Sequence, residues 1–175
     1  MSKGAKVTKA DKVDKAEARH EISRLIYAYS EALDGGDLDR VGELLQHCVI
    51  RVPQNHLEVR GADEIRKMFE EYTIFYDREG PANPDKKGAH PHTCHFVANL
   101  LIDVDDDGLH AQSKSYVIVF QARPDFPLQP VFRNRYHDRF ECVDGEWRFV
   151  ERVEVLDEFQ GDISRHLYQA PRTAS

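Results

Sequence analysis

The sequence predicts an α+β fold, in which a cone-shaped, curved and mainly antiparallel sheet is wrapped by N-terminal helices around one pocket. Apolar residues recur at helical spacing near the start of the chain, long strand-forming segments fill its second half, and Asp-Gly pairs punctuate those strands with tight turns. Helices grouped ahead of an antiparallel sheet must bury their apolar stripes on one of its faces, which leaves a pocket between the two layers.

The 175 residues suit one domain, placed at 16–168 between a flexible arm over 1–15 and a flexible tail over 169–175. Hydrophobic residues at 41% and charged residues at 31% fit a soluble globular chain. A net charge of -7 with no basic stripe argues against nucleic acid as a partner. No apolar run approaches a membrane span and the Lys-rich start holds no signal-peptide core, so the expected location is cytoplasmic and no membrane partner is expected. Cys48, Cys94 and Cys142 lie in separate segments and read as reduced thiols, with neither a disulfide framework nor a zinc site. Cys94 adjoins His95 but lacks the activating context of a nucleophile.

From Ala16 the spacing of Ile22, Leu25, Ile26, Tyr29 and Leu33 predicts an amphipathic helix, with Glu21, Arg24 and Glu31 mostly opposite. Gly35-Gly36 ends it, and Asp37 caps a second helix through Leu38, Val41, Leu44 and Leu45. Cys48 to Val52 reads as a short strand, and Val59 to Gly61 as another leading into a helix over 62–72 with Asp63 as its cap. Residues 76–91 hold prolines and glycines without a hydrophobic period and form a long loop, of the kind that is often functional. Strands follow at 92–103, 109–123, 131–143 and 146–158, joined by turns at 105–108 and 144–145 and by a proline-rich link over 124–130.

Asp34 stands at the end of the first helix, where a negative charge opposes the helix dipole. It either terminates that helix and caps the next, or serves another purpose that outweighs the local preference. His95 and Asn99 share one face of their strand by its two-residue period. A carboxylate beside an imidazole fixes its tautomer and makes it a stronger base, so Asp34 and His95 form a candidate acid/base dyad, with a structurally satisfied histidine as the alternative. His90, His92 and His95 offer three imidazoles within a short span and leave a metal site as a minor alternative, disfavoured because residues 92 and 95 face opposite sides of a strand, no carboxylate lies close in sequence and a proline interrupts the run. Neither metal nor cofactor is called for. Arg152 either points inward, to orient Asp34 or stabilise an anion, or forms a surface ion pair with a neighbouring glutamate. Tyr29 and Tyr116 are candidate hydroxyl donors or core residues.

The motifs Leu25-Ile26-Tyr27, Ala32-Leu33-Asp34-Gly35-Gly36-Asp37, Val59-Arg60-Gly61, His95-Phe96-Val97-Ala98-Asn99 and Tyr136-His137-Asp138-Arg139-Phe140, with Asp144-Gly145-Glu146-Trp147-Arg148-Phe149 and Arg152, stand in an order that resembles one family. It is the SnoaL-like branch of the nuclear-transport-factor-2-like superfamily, and the resemblance spans about residues 17–168. That resemblance implies a cone-shaped fold and relatives among scytalone dehydratase, hexachlorocyclohexane dehydrochlorinase, steroid and bile-acid dehydratases, polyketide cyclases, ketosteroid isomerase and limonene epoxide hydrolase. Asp34 and His95 match the positions of the Asp-His dyad used by the dehydratases and the dehydrochlorinase, and Arg152 matches the latter's arginine five residues after the late tryptophan.

The implied activity is that of a cofactor-independent lyase on a small hydrophobic, hydroxylated aromatic, polyketide or steroid-like substrate. His95, Asp34 and Arg152 would be catalytic, with Tyr29, Asn99 and Tyr116 binding substrate. An isomerase or cyclase using the same dyad is the alternative among enzymes. The loop at 76–91, the 124–130 link and the Gly161–Leu167 tail are also similar to the small subunits of aromatic-ring-hydroxylating dioxygenases, which implies a non-catalytic subunit or binding module as the other alternative. Pairing through exposed sheet faces in the superfamily implies a homodimer or homotrimer.

Overall fold

A computed structural model of the protein describes residues 14–168. The expected arm and tail fall largely on residues 1–13 and 169–175, outside the described residues, while Asp14 and Lys15 already belong to the cap and first turn of a helix.

That helix, α1 (Lys15–Asp34), starts where the Asp14 carboxylate accepts the Ala16 and Glu17 amides. It buries Ile22, Ile26, Tyr29 and Leu33, the stripe set by helical spacing, and it ends at Gly35. Gly36 follows at φ +74, where a Cβ would lie 2.4 Å from the Ala89 carbonyl oxygen. The missing side chain therefore lets the 88–92 segment pack against the end of α1. Asp37 caps α2 (Leu38–Leu45) through the Arg40 amide. Strands β1 (Val49–Val52) and β2 (Leu57–Arg60) pair antiparallel around a 3₁₀ turn at Pro53–Asn55. Helix α3 (Ala62–Tyr72) begins at Gly61, which takes φ 77, so Asp63 lies in the first turn and does not cap it.

Strands β3 (Thr93–Val104), β4 (His110–Arg123), β5 (Phe126–Val143) and β6 (Glu146–Leu156) complete a six-stranded sheet of order β2-β1-β6-β5-β4-β3, curled but unclosed. Every neighbouring pair is antiparallel except β1 with β6. The α+β fold and the mainly antiparallel sheet are thus as expected, with the helices on the inner face against Val117, Val119, Phe140 and Phe149. Asp144 and Gly145 both take positive φ, as a two-residue hairpin turn of this hand requires.

The 124–130 segment departs from expectation. It is a turn at Pro124 and Asp125 followed by paired strand, with Arg123 opposite Phe126. Strand β6 reaches β5 only at Asn134, so Pro127 and Pro130 occupy a stretch that has a ladder partner on one side, where a missing N–H is tolerated.

Two bulges decide which side chains face inward. One interrupts β3 between Ala98 and Leu101, and the other lets Phe140 pair with Phe149 while Arg139 pairs with Glu151. Each inserts residues that reset the alternation of faces beyond it.

Candidate active site

Asp34 closes α1 beside the free edge of β3, the last strand in the sheet. Its carboxylate accepts three hydrogen bonds there, from Thr93 Oγ1 at 2.7 Å, from the His95 amide at 2.7 Å and from His95 Nδ1 at 2.6 Å. Burial works to raise the Asp34 pKa, but the His95 ring, its backbone amide and the Thr93 hydroxyl more than offset this, and the carboxyl is held below its ordinary range. A carboxylate at Nδ1 selects the tautomer with the proton on Nδ1 and leaves the Nε2 lone pair free. The His95 side chain is only 5% exposed, and it lines a cavity of about 280 Å³ between the helices and the inner face of the sheet.

Tyr29, Leu33, Met68 and Phe69 form the helical wall of this cavity, and Val119, Phe132, Tyr136 and Leu156 the sheet wall. The lining is mostly apolar with a few converging polar groups, the usual character of a small-molecule site. The C-terminal segment closes one side. It is pinned where the Ile74 amide donates to the His166 carbonyl at 2.9 Å, the Tyr76 hydroxyl to the Arg165 carbonyl at 2.7 Å and Gln121 Nε2 to that same carbonyl at 2.8 Å.

Of the expected site residues, Asp34 and His95 pair beside the cavity that Tyr29 also lines, Arg152 packs behind Tyr29, and Asn99 and Tyr116 lie elsewhere. Asn99 sits in the β3 bulge at φ 51, exposed and away from the cavity. Tyr116 pairs with Ala98 on the outer face of the sheet and is 43% exposed. Cys94 is likewise exposed on the outer side of β3. Arg152 does turn inward, but its partner is Asp138, bound through Nε at 2.8 Å and Nη2 at 2.9 Å with both side chains fully buried. Its guanidinium carbon lies 4.2 Å from the Tyr29 ring centre and 4.3 Å from that of Tyr136. Arg152 therefore supports the two tyrosines from beneath the cavity and touches neither Asp34 nor the open space. His90 and His92 stack with ring centres 4.0 Å apart beside the 77–88 loop, remote in role from His95, which faces the cavity.

Three lining groups were not anticipated. Tyr136 opposes Glu154 across β5 and β6, and both face the cavity. Glu154 makes no hydrogen bond or ion pair among the described residues; burial pushes its carboxyl up, and Arg152 only partly opposes this. His166 is 7% exposed, its Nδ1 has no partner among the described residues, and burial first, then the positive charge His95 can carry, pushes its pKa down to about 3. It is a neutral imidazole. Burial also raises the Tyr29 and Tyr136 hydroxyls, so both remain protonated donors.

Among the described residues no helix is long and apolar enough to cross a membrane. The profile of the SnoaL-like domain matches residues 14–153. No curated protein gives a significant match. Among solved structures, the chain is similar to a candidate scytalone dehydratase of Novosphingobium aromaticivorans, with 20% identity, 91% of this chain and 93% of that one covered, and a TM-score of 0.64. A candidate aromatic ring hydroxylase of the same organism matches at 20% identity over 86% and 96% of the two chains, with a TM-score of 0.63. A nuclear-transport-factor-2-like protein with a cystatin-like fold, also from that organism, matches at 20% identity over 82% and 84%, with a TM-score of 0.64. At this identity the structural likeness concerns the fold.

Proposed function

The chain belongs to the SnoaL-like domain family, and we propose that it is a cofactor-independent lyase that eliminates a small molecule from a hydrophobic, hydroxylated aromatic, polyketide or steroid-like substrate. The observation that carries this reading is the Asp34–His95 pair at 2.6 Å, with the imidazole turned into an apolar cavity. An imidazole whose Nδ1–H is held by a carboxylate presents Nε2 as a base, and a desolvated wall keeps that base from being masked by water. Carbon acids are weak, so removing their proton also requires a donor for the charge that develops on a neighbouring oxygen. The protonated hydroxyls of Tyr29 and Tyr136 and the neutral imidazole of His166 supply donors on the same cavity. In this reading His95 takes a proton from carbon next to a carbonyl, the tyrosines and His166 hold the enolate oxygen, and the leaving group departs from the adjacent carbon. Arg152 positions the tyrosines.

The cavity volume of about 280 Å³ lies near the lower end for small-molecule sites and favours the one- or two-ring members of this substrate range over the steroid-like ones. Free thiols at Cys48, Cys94 and Cys142, one of them exposed, suit a reducing compartment such as the cytoplasm. On the outer sheet face, Phe96 at 58%, Leu101 at 66% and Tyr116 at 43% exposure form an apolar patch suited to self-association as a homodimer or homotrimer.

Turnover profiling tests the reading. The metal-free protein is incubated with a panel of hydroxylated aromatic and steroid-like ketones, beside His95→Ala and Asp34→Asn, and products are followed by mass spectrometry. Loss of a small neutral molecule with the wild type alone supports the lyase. A product of unchanged mass would favour the isomerase, and binding retained by both variants without turnover would favour a binding module.

A further inference from the structure

Glu154 has no part in the chemistry assigned so far, yet it is an unpaired carboxyl on the wall of the same cavity. The β6 bulge places it there. After the shift at Arg139 and Phe140, Arg152 and Glu154 both turn inward, opposite Asp138 and Tyr136 on β5. Arg152 is already engaged by both oxygens of Asp138, and its cation only partly offsets the burial of Glu154. The titratable groups that share this face or cavity are Tyr29 on α1, Tyr72 on α3, His95 on β3, Tyr136 and Asp138 on β5, Arg152 on β6 and His166 on the closing segment, with the Cys48 thiol just ahead of β1. None of them forms a hydrogen bond or ion pair with Glu154 among the described residues. For a carboxyl on this wall with no partner among the described residues, burial disfavours the charged form and shifts its pKa upward.

Strand β6 lies three strand positions from β3 in the sheet order. The curl of the sheet nevertheless brings both side chains to one cavity, and the charge His95 can carry is among the influences on the Glu154 carboxyl. Two acid/base groups with different environments thus flank one space. Such a division matches the separate needs of an elimination, a base for carbon and an acid for the departing atom.

Resting on the lyase reading, we propose that Glu154 is the general acid of the reaction and that the leaving group is a hydroxyl departing as water from the carbon β to a carbonyl. His95 Nε2 takes the α-proton and the C–H electron pair passes into the enolate. The enolate collapses to the α,β-double bond as the C–O bond breaks, and its electron pair remains on oxygen. The Glu154 proton goes to that oxygen, which leaves as water. Glu154 is then a carboxylate and His95 a cation, and solvent transfers the proton back between turnovers. Hydroxide is a poor leaving group and needs this acid, whereas a carboxylate leaving group does not.

The test compares 3-hydroxy-1-tetralone with 3-acetoxy-1-tetralone, which give the same naphthol after loss of water or acetate. Glu154→Gln is expected to lower kcat on the hydroxy ketone by about 10²–10⁴-fold, the span of general acid catalysis, and to change the acetoxy reaction by less than about 3-fold. Glu154→Asp, which retains the acid, is expected to recover a measurable part of the lost rate. Equal losses on both ketones, or no loss on either, would overturn the role of Glu154 while leaving the lyase reading intact. Failure of the wild type on both would remove the lyase reading itself, and this proposal with it. A readout free of substrate accompanies these: relative to wild type, Glu154→Gln should gain stability as pH rises above 4.5, because the folded wild type retains a proton that its unfolded chain releases. A pH-independent difference counts against a protonated Glu154 and hence against the proposal.

Discussion

Arg152→Met tests whether the floor of the cavity rests on the buried ion pair. Arg152 and Asp138 are both 0% exposed at the side chain and share two hydrogen bonds of 2.8 and 2.9 Å. Methionine approximates the volume and removes the charge, so Asp138 is left desolvated without its partner. Breaking a buried pair from one side costs about 3–5 kcal/mol, and loss of the cation from between the Tyr29 and Tyr136 rings adds to this by up to about 2 kcal/mol. Against a usual unfolding free energy of about 5–15 kcal/mol this is a large fraction. The variant Asp138→Leu with Arg152→Met removes both charges and should cost less than Arg152→Met alone, since neither charge is stranded. Urea unfolding at fixed protein concentration, followed by the fluorescence of Trp147, the sole tryptophan, gives the four free energies of the wild type, Arg152→Met, Asp138→Leu and the double variant. A loss below about 1 kcal/mol for Arg152→Met, or additive losses in the double variant, would show that the buried pair does not hold the cavity floor.

Other outcomes follow from the same structure. His166 has a folded pKa of about 3 against 6.5 unfolded, so between those values the unfolded chain binds the extra proton and stability falls as pH falls. From pH 7 to pH 5 the wild type should lose about 2 kcal/mol more than His166→Gln, measured by urea melts at each pH; parallel curves contradict this. Gly36→Ala places a Cβ 2.4 Å from the Ala89 carbonyl oxygen at a positive φ, and a loss of about 2–3 kcal/mol is expected, whereas a change within about 0.5 kcal/mol would show that the contact yields freely. The double change Phe96→Glu and Tyr116→Glu should convert an oligomer into a 20.2 kDa monomer by light scattering, and an unchanged assembly would place the interface elsewhere.

The helices and the Asp34–His95 pair were legible because each depends on local rules. The stripe through Ile22, Ile26, Tyr29 and Leu33 follows from the turn of a helix, and the Gly-Gly stop brings Asp34 to an end from which it can reach the edge strand. What alternation could not supply was the direction of side chains beyond a bulge. Asn99 was assigned to the His95 face by a two-residue period that the β3 bulge interrupts, and Arg152 and Glu154 turn inward although Phe149 does too, because β6 carries an extra residue between them. Tyr116 lay on a regular stretch, but the faces of an isolated strand cannot be told apart until its neighbours are placed. His166 stands in a segment without helical or strand periodicity, and long-range hydrogen bonds from Ile74, Tyr76 and Gln121 to that segment, with the Tyr168 amide to the Tyr72 carbonyl, carry it to the cavity. The prolines at 127 and 130 masked a strand because their tolerance depends on how far β6 extends.

The central claim is that His95, oriented by Asp34, removes a proton from carbon inside the cavity. Deuterium uptake from heavy water into the α-carbon of 1-tetralone, followed by mass spectrometry with wild type, His95→Ala and Asp34→Asn at equal occupancy, isolates that step from any leaving group. Exchange is expected to be catalysed by the wild type, abolished in His95→Ala and reduced about 10²–10⁴-fold in Asp34→Asn. Binding without exchange by the wild type, or exchange that both variants retain, would contradict it.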